Sequence, residues 1–193
     1  ASLQFRIEEA TWDAIRQHAN EITVVSSERI LGELEKIIEH PERLEGLRLL
    51  RDSELLAAIL PELESRDAAT WRELMETLDK VPSASFPVVL AACWAALAGD
   101  ADLDAACQRL KLPNHDRQLA IWLHEQLPHI VELHQVPWPR AQRLLIEPRI
   151  QLLVELATAR GVAHGEPLQW LTFCQEKLSL DREQLDPLPA VQP

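Results

Sequence analysis

The chain has few of the residues that mark disulfide scaffolds, phosphate-binding loops or membrane spans. It has three cysteines in 193 residues, an odd number without C-x-x-C spacing, which predicts reduced, mostly buried thiols in a cytosolic protein. No run of about 18 apolar residues exists, so the sequence predicts no membrane span. Only five glycines occur and no two are adjacent, which leaves no glycine-rich phosphate loop and favours a helical globular protein.

Charge limits the partners that the surface as a whole can attract. The net charge is -12, which argues against broad electrostatic attraction to nucleic acid. A local basic face remains compatible with this balance. The length suits one or two domains, and 47% hydrophobic residues are enough to bury a real core.

Apolar residues recur at helical spacing through most of the chain, and no stretch alternates as a strand would. The sequence therefore predicts an all-α fold, a multi-helix bundle with short connections marked by Pro, Gly, Asn or Asp. The apolar segment 86–98 is expected to be central to the bundle. The predicted helices lie near residues 8–19, 26–39, 42–51, 53–60, 67–80, 86–98, 101–110, 115–127, 128–135, 139–146, 148–160, 167–178 and 181–185.

One predicted helix begins with a distinctive order of charges. Ser26 can cap the first turn, and Glu28 lies where the helix dipole favours an anion. Arg29 and Glu33 are four residues apart and can pair on the exposed face. The apolar stripe predicts that four side chains are buried together: Ile30, Leu34, Ile37 and Ile38.

The order S-x-E-R-I-x-x-E-L-x-K in residues 26–36 resembles a motif in the neck of bacterial tRNA nucleotidyltransferases and poly(A) polymerases, the CCA-adding family. The flanking segments 1–15 and 46–63 are also similar to that family. The stretch Arg109–Asn114 with Arg117 is similar to members that carry a helical metal-dependent domain. The helix expected before it, Cys93–Ala98, lacks the His-Asp pair of those members, so the alignment implies that any phosphohydrolase site is lost.

The resemblance implies a neck and body without the catalytic head. That head carries a Gly-Gly signature and paired aspartates that hold the metal, whereas Asp100, Asp102 and Asp104 here lie between helical segments. The implied division is 1–80 as neck and upper body, 85–180 as helical body and 181–193 as a Pro-rich C-terminal extension.

Further expectations concern function. The intact protein is expected to add nucleotides to RNA 3′ ends in the cytoplasm, with Mg²⁺ and a nucleoside triphosphate held by the head and tRNA as the expected RNA. The present chain alone is predicted to be inactive. The alternative is a free-standing all-α protein-interaction module.

The most basic local segment supplies the candidate RNA-binding residues. Arg140 and Arg143 can share a helix face and contact phosphates, and Trp138 can add base stacking. Ion pairing with the many surface acids is an equally good interpretation of these arginines. Arg48 and Arg51 form a similar, weaker pair.

Other residue types that often carry chemistry are better explained by structure. The pair His115-Asp116 stands at a predicted helix start, where an acid is ordinary. Three histidines spaced by five residues do not share a helical face, and Pro128 interrupts their segment: His124, His129 and His134. Core packing is favoured for the six tryptophans: Trp12, Trp71, Trp94, Trp122, Trp138 and Trp170.

Overall fold

Helices account for all regular structure in residues 7–64, 67–82, 85–99, 101–166, 168–180 and 182–185, which are the residues that the computed structural model describes. The predicted all-α multi-helix bundle is confirmed. The helices are α1 (Glu9–Gln17), α2 (Ser27–Glu39), α3 (Arg43–Asp52), α4 (Leu55–Ile59), α5 (Ala68–Lys80), α6 (Phe86–Cys93), α7 (Leu103–Arg109), α8 (Asn114–Ile130), α9 (Trp138–Leu145), α10 (Ile150–His164), α11 (Gln169–Leu178) and α12 (Arg182–Leu185).

Shorter 3₁₀ turns link several of these helices, at Ala19–Val24, Pro61–Leu63 and Leu133–Gln135. The first predicted helix, 8–19, is therefore shorter than expected, because α1 ends at Gln17 and the chain continues as a 3₁₀ turn. Most other predicted boundaries lie within a few residues of the observed ones. The tail 186–193, predicted to be extended, lies outside the described residues, as do residues 1–6.

The helix α2 packs its apolar stripe against α3 and α6. Leu31, Leu34 and Ile38 are buried, so the prediction is confirmed for Leu34 and Ile38. Ile30 and Ile37 are only half-buried, although both pack against the same core. The difference arises because each of these isoleucines lines a surface groove and keeps one side open.

The helix α6 is buried on every side, as its uniformly apolar sequence predicted. It changes to a π-helical turn at Trp94–Ala98, which ends at Gly99 with a φ of 56°. The indole of Trp94 is fully buried, and its Nε1 donates a hydrogen bond to the Ala101 carbonyl at 2.7 Å. This bond satisfies the polar group of the ring and ties the turn to the following segment.

The predicted break at Pro128 is wrong. Helix α8 runs without interruption from Asn114 to Ile130, with Pro128 in its last turn. A proline there removes one backbone donor near the end of the ladder, and the ring is exposed at the surface, so the helix tolerates it.

Four helices form the centre of the molecule. Helix α10 packs along α5 and α8, and α6 packs along α8 and against α5. The buried residues form one hydrophobic cluster that extends from Leu31 of α2 to Cys174 of α11. The division of the chain at residues 80–85 stays a prediction. None of the helices in the described part of the chain is both long and apolar enough to cross a bilayer.

Candidate nucleic-acid interface

The start of α2 places its polar motif residues on the surface. Ser26 occupies the N-cap position, but its hydroxyl makes no capping bond to the backbone. The Glu28 carboxylate accepts a hydrogen bond from Lys111 Nζ at 2.5 Å. This bond is the main reason that the pKa of Glu28 lies below its ordinary value, with smaller contributions from the Glu28 backbone N–H and the Ser26 hydroxyl.

The predicted pairing of Arg29 with Glu33 is wrong. Glu33 Oε1 lies 2.7 Å from Lys36 Nζ, three residues further along α2. An acid that precedes its cation along a helix is the better orientation, because it agrees with the helix dipole. The exposed Arg29 guanidinium forms no ion pair or hydrogen bond with any described residue, which leaves it able to meet an anion.

Two ion pairs connect the first helices to the end of α7 and the segment that follows it. Lys111 contacts Glu28 of α2, and Arg109 Nη2 lies 2.8 Å from Glu62 Oε2 in the 3₁₀ turn after α4. Lys111 has a φ of 57°, a left-handed conformation that is uncommon for a residue with a side chain. The basic stretch that resembles the family's R-L-K segment is therefore engaged with acids of this chain.

A third connection is made by Arg43 at the start of α3. Its Nη2 donates to the carbonyls of Leu78 and Val81, both at 3.1 Å, at the C-terminal end of α5. A cation there satisfies open carbonyls and complements the helix dipole. Sequence reasoning missed this role, because the contact joins residues 35 and 38 positions apart.

Arg117 completes the engagement of the basic stretch. Its guanidinium makes a two-point contact with the Asp104 carboxylate across the α7–α8 connection. The hydrogen bonds from Arg117 lower the pKa of Asp104 and raise that of Arg117. Asp102 caps α7 by accepting from the Ala105 N–H. Asp102 and Asp104 thus make structural contacts at the start of α7. Asp100 lies outside the described residues.

The candidate residues Trp138, Arg140 and Arg143 all lie on α9 and are exposed. Arg140 and Arg143 are about 60° apart around the helix axis, so they share a face, whereas Trp138 lies about 160° from Arg140. Neither arginine forms an ion pair or side-chain hydrogen bond with the described residues, so the ion-pairing interpretation finds no partner there. Trp138 instead faces α11, with Lys177 Nζ 5.3 Å from its ring centroid.

Cation–ring contacts occupy other tryptophans as well. Arg51 lies over Trp71 at 4.6 Å, and Arg149 lies over Trp122 at the same distance. Arg48 lies 3.4 Å from Glu45 within α3, so it has an acid partner among the described residues, unlike Arg140 and Arg143. Core packing is confirmed for three tryptophans, which are buried: Trp71, Trp94 and Trp170.

The histidines and cysteines do not assemble into a metal centre in the described part of the chain, where no group of three or more His, Cys, Asp or Glu side chains could hold an ion. Asp116 lies in the first turn of α8, as predicted, with His115 beside it. Burial lowers the pKa of His124, whose Nδ1 has no hydrogen-bond partner among the described residues. All three cysteines are free and buried, which confirms the predicted burial of the thiols.

The described residues form an all-α module in which the charged helix α2 is fastened to a helical body. Residues 4–66 match a family model described as "Probable RNA and SrmB- binding site of polymerase A". The predicted relation to the poly(A) polymerase and CCA-adding family is confirmed over these 63 of the 193 residues, and the match indicates an RNA-binding region of polymerase A there. Comparisons with curated proteins and with solved structures found no match.

Proposed function

We propose that this chain is the RNA-binding neck and body of a tRNA nucleotidyltransferase or poly(A) polymerase, and that it positions RNA for nucleotide addition at the 3′ end. The observation that carries the proposal is the match of residues 4–66 to an RNA-binding region of polymerase A. RNA is the partner that this region indicates. The choice of tRNA and the positioning role rest on the resemblance of the motif in residues 26–36.

The contacts between the matched region and the body suit a positioning role. The continuous hydrophobic cluster holds this region against the body. Three cationic side chains add contacts between the two: Arg43 on the end of α5, Lys111 on Glu28 and Arg109 on Glu62. A scaffold that presents a polymer to a reacting group needs such fixed geometry, because small displacements are costly to reaction rates. Glu28 acts here through Lys111, as an organiser of the neck.

Three exposed arginines are the candidates for phosphate contact, and none of them has an acid partner among the described residues. Arg29 lies on α2 within the matched region, and Arg140 and Arg143 lie on α9. Arginine presents several donors that match phosphate oxygens, and such contacts fix register without reading sequence. In a chain with a net charge of -12, attraction to RNA must come from local cations such as these.

The intact protein, in this proposal, transfers nucleotides in the cytoplasm with Mg²⁺ and a nucleoside triphosphate bound by a catalytic head. The described residues do not fit such a metal site, since no cluster of three carboxylate, imidazole or thiol donors occurs among them. We therefore derive no chemical step from this chain. Its own residues bind and orient RNA.

A protein-interaction module is the second candidate, and one feature favours it. An apolar groove of about 410 Å³ lies in the matched region between α1, α2 and α3, lined by Trp12, Ile15, Ile37 and Leu49. Exposed apolar surface of this kind often marks a site of contact with a partner protein. The acidic surface would then repel RNA instead of holding it.

Binding and extension assays test the proposal together. Purified chain should shift tRNA in a native gel at about 0.1 M salt, and incubation with tRNA, ATP, CTP and Mg²⁺ should give no extended product. Absence of any RNA binding would favour the interaction module. Metal-dependent extension by the pure chain would refute the view that it lacks the catalytic head.

A further inference from the structure

A groove of about 400 Å³ lies between the end of α8, the 3₁₀ turn Leu133–Gln135 and α9. Its apolar lining comes from Leu133, Val136 and Leu144, of which Leu133 is buried and the other two half-buried. This groove lies outside the region that matches the polymerase A family. Its volume falls within the range of small-ligand sites, roughly 300–1,000 Å³.

Four polar side chains share the groove with this apolar lining. Gln126 and His129 come from α8, Glu132 follows that helix, and Arg140 comes from α9. The Gln126 amide offers both a donor and an acceptor, whereas an ionised Glu132 only accepts hydrogen bonds. Arg140 also belongs to the two-arginine face of α9, which continues from the groove to Arg143.

We propose that this groove binds a single unpaired nucleobase whose amino group lies at purine C6 or pyrimidine C4, adenine or cytosine, while the neighbouring phosphates lie on Arg140 and Arg143. The inference rests on the RNA binding proposed above and adds a site to it. A planar base can contact the apolar walls while its edge meets Gln126 and Glu132. The two arginines lack carboxylate partners among the described residues and supply the attraction for the backbone.

The charge pattern favours an RNA strand over a free nucleotide. A nucleoside triphosphate concentrates several negative charges beside Glu132, with only two arginines to offset them. A strand carries one charge per nucleotide, and those charges can follow α9 away from the groove while one base enters it. Unpaired bases expose the edges that proteins read in RNA.

Glu132 accounts for the expected preference among bases. A carboxylate accepts a hydrogen bond from the amino group of cytosine, and a glutamine amide can read adenine in a two-point contact. Uracil and hypoxanthine present a carbonyl oxygen where cytosine and adenine carry the amino group. Two acceptors then face each other, which disfavours both bases.

Fluorescence anisotropy with four labelled hexanucleotides tests the preference: A6, C6, U6 and I6 at constant salt. The inosine strand matches A6 as a purine but lacks the amino group. We expect A6 and C6 to bind about five-fold or more tightly than I6 and U6, the low end for a hydrogen-bonded base contact. Glu132→Gln should bring the ratio close to one, because an amide can turn to donate as well as accept.

Two further variants distinguish base binding in the groove from a general effect of surface charge on RNA affinity. Leu144→Trp should fill the groove and abolish the preference, and circular dichroism checks that the variant folds. Glu76→Gln removes the same charge from an exposed position on α5 and should leave the preference unchanged. A loss of preference in Glu132→Gln alone would support the assignment if Leu144→Trp failed to fold.

Several outcomes would overturn the assignment. Equal affinity for the four strands, or an unchanged preference in Glu132→Gln, would show that the groove is not a base-binding site. RNA binding by the arginine face would be unaffected by this result. Binding of tRNA without measurable binding of any hexanucleotide would also refute the groove as a base-binding site. Failure of both tRNA and hexanucleotides to bind would overturn the groove and the proposed function together.

Discussion

Replacement of Leu34 by alanine tests whether the motif helix is held by its apolar stripe. Leu34 is 6% exposed and belongs to the continuous core cluster, on the side of α2 that packs against α3 and α6. Leu→Ala changes in cores cost about 2–5 kcal/mol, because lost burial and a residual cavity add. Since Leu34 keeps slight exposure on an outer helix, we expect the middle of this range, about 3 kcal/mol.

Urea unfolding followed by far-UV circular dichroism measures this cost. In a thermal melt of a chain of this size, a loss of about 3 kcal/mol in the free energy of unfolding should lower the Tm by roughly 6–12 °C. Val24→Ala is the control, because Val24 is 88% exposed and its truncation should change stability by no more than about 0.5 kcal/mol. A loss below about 1 kcal/mol for Leu34→Ala, or a loss equal to the control, would show that α2 is not anchored through this residue.

Three further predictions concern stability, pH and thiol chemistry. Gly32→Ala should stabilise the protein by about 0.5–1 kcal/mol, because α2 gains a better helix former and no atom lies within 4 Å of the new Cβ. Gly46→Ala should show no such gain in the same urea experiment, because its Cβ would lie 2.5 Å from Ile37 Cγ2; equal gains would contradict the packing of α3 on α2. Because the pKa of Glu28 is lowered in the folded protein, its ionised form stabilises the fold above pH 4.5, the ordinary pKa of the group. This stabilisation is lost as the pH falls through the lowered pKa of the folded state. Acid titration of stability should therefore be steeper for the wild type than for Glu28→Gln or Lys111→Gln, and identical curves would refute the pair. Burial raises the thiol pKa to about 12 for Cys93 and to about 11 for both Cys107 and Cys174. A thiol reagent at neutral pH should therefore label only the unfolded protein. Rapid labelling of the native protein would contradict the burial of these thiols.

Local patterns were enough to predict the helical architecture. The period of apolar residues in 26–39 and the uniformly apolar segment 86–93 predicted helices, and the second of these is buried throughout. The failures have local physical causes. Pro128 lies too near the end of α8 to break it, and the helix predicted at 86–98 changes to a π turn at Trp94, whose indole bonds to Ala101.

The candidate interface was predictable only where it depends on helix spacing. The separation of Arg140 and Arg143 places them on one face of α9, but the same geometry turns Trp138 toward Lys177, which lies 39 positions away in sequence. The contacts of Glu28 and Arg43 are equally remote, at 83 and 35–38 positions. Such pairings depend on the tertiary arrangement of helices, which composition and periodicity do not specify.

RNA binding centred on the two arginines of α9 is tested most directly by the salt dependence of tRNA affinity. The measurement compares wild type with Arg140→Glu/Arg143→Glu and with Arg72→Glu/Lys80→Glu, a control pair on the exposed side of α5. Both double variants replace two cations by two acids and take the net charge from -12 to -16.

If the two α9 arginines each contact one phosphate, the slope of log affinity against log salt should become shallower by roughly 1.4–1.8 in the first variant. The control should lose affinity only slightly and keep the wild-type slope. Equal slopes and equal affinities in all three proteins would show that α9 lies outside the RNA interface. Absence of tRNA binding by the wild type would contradict the proposed RNA binding altogether.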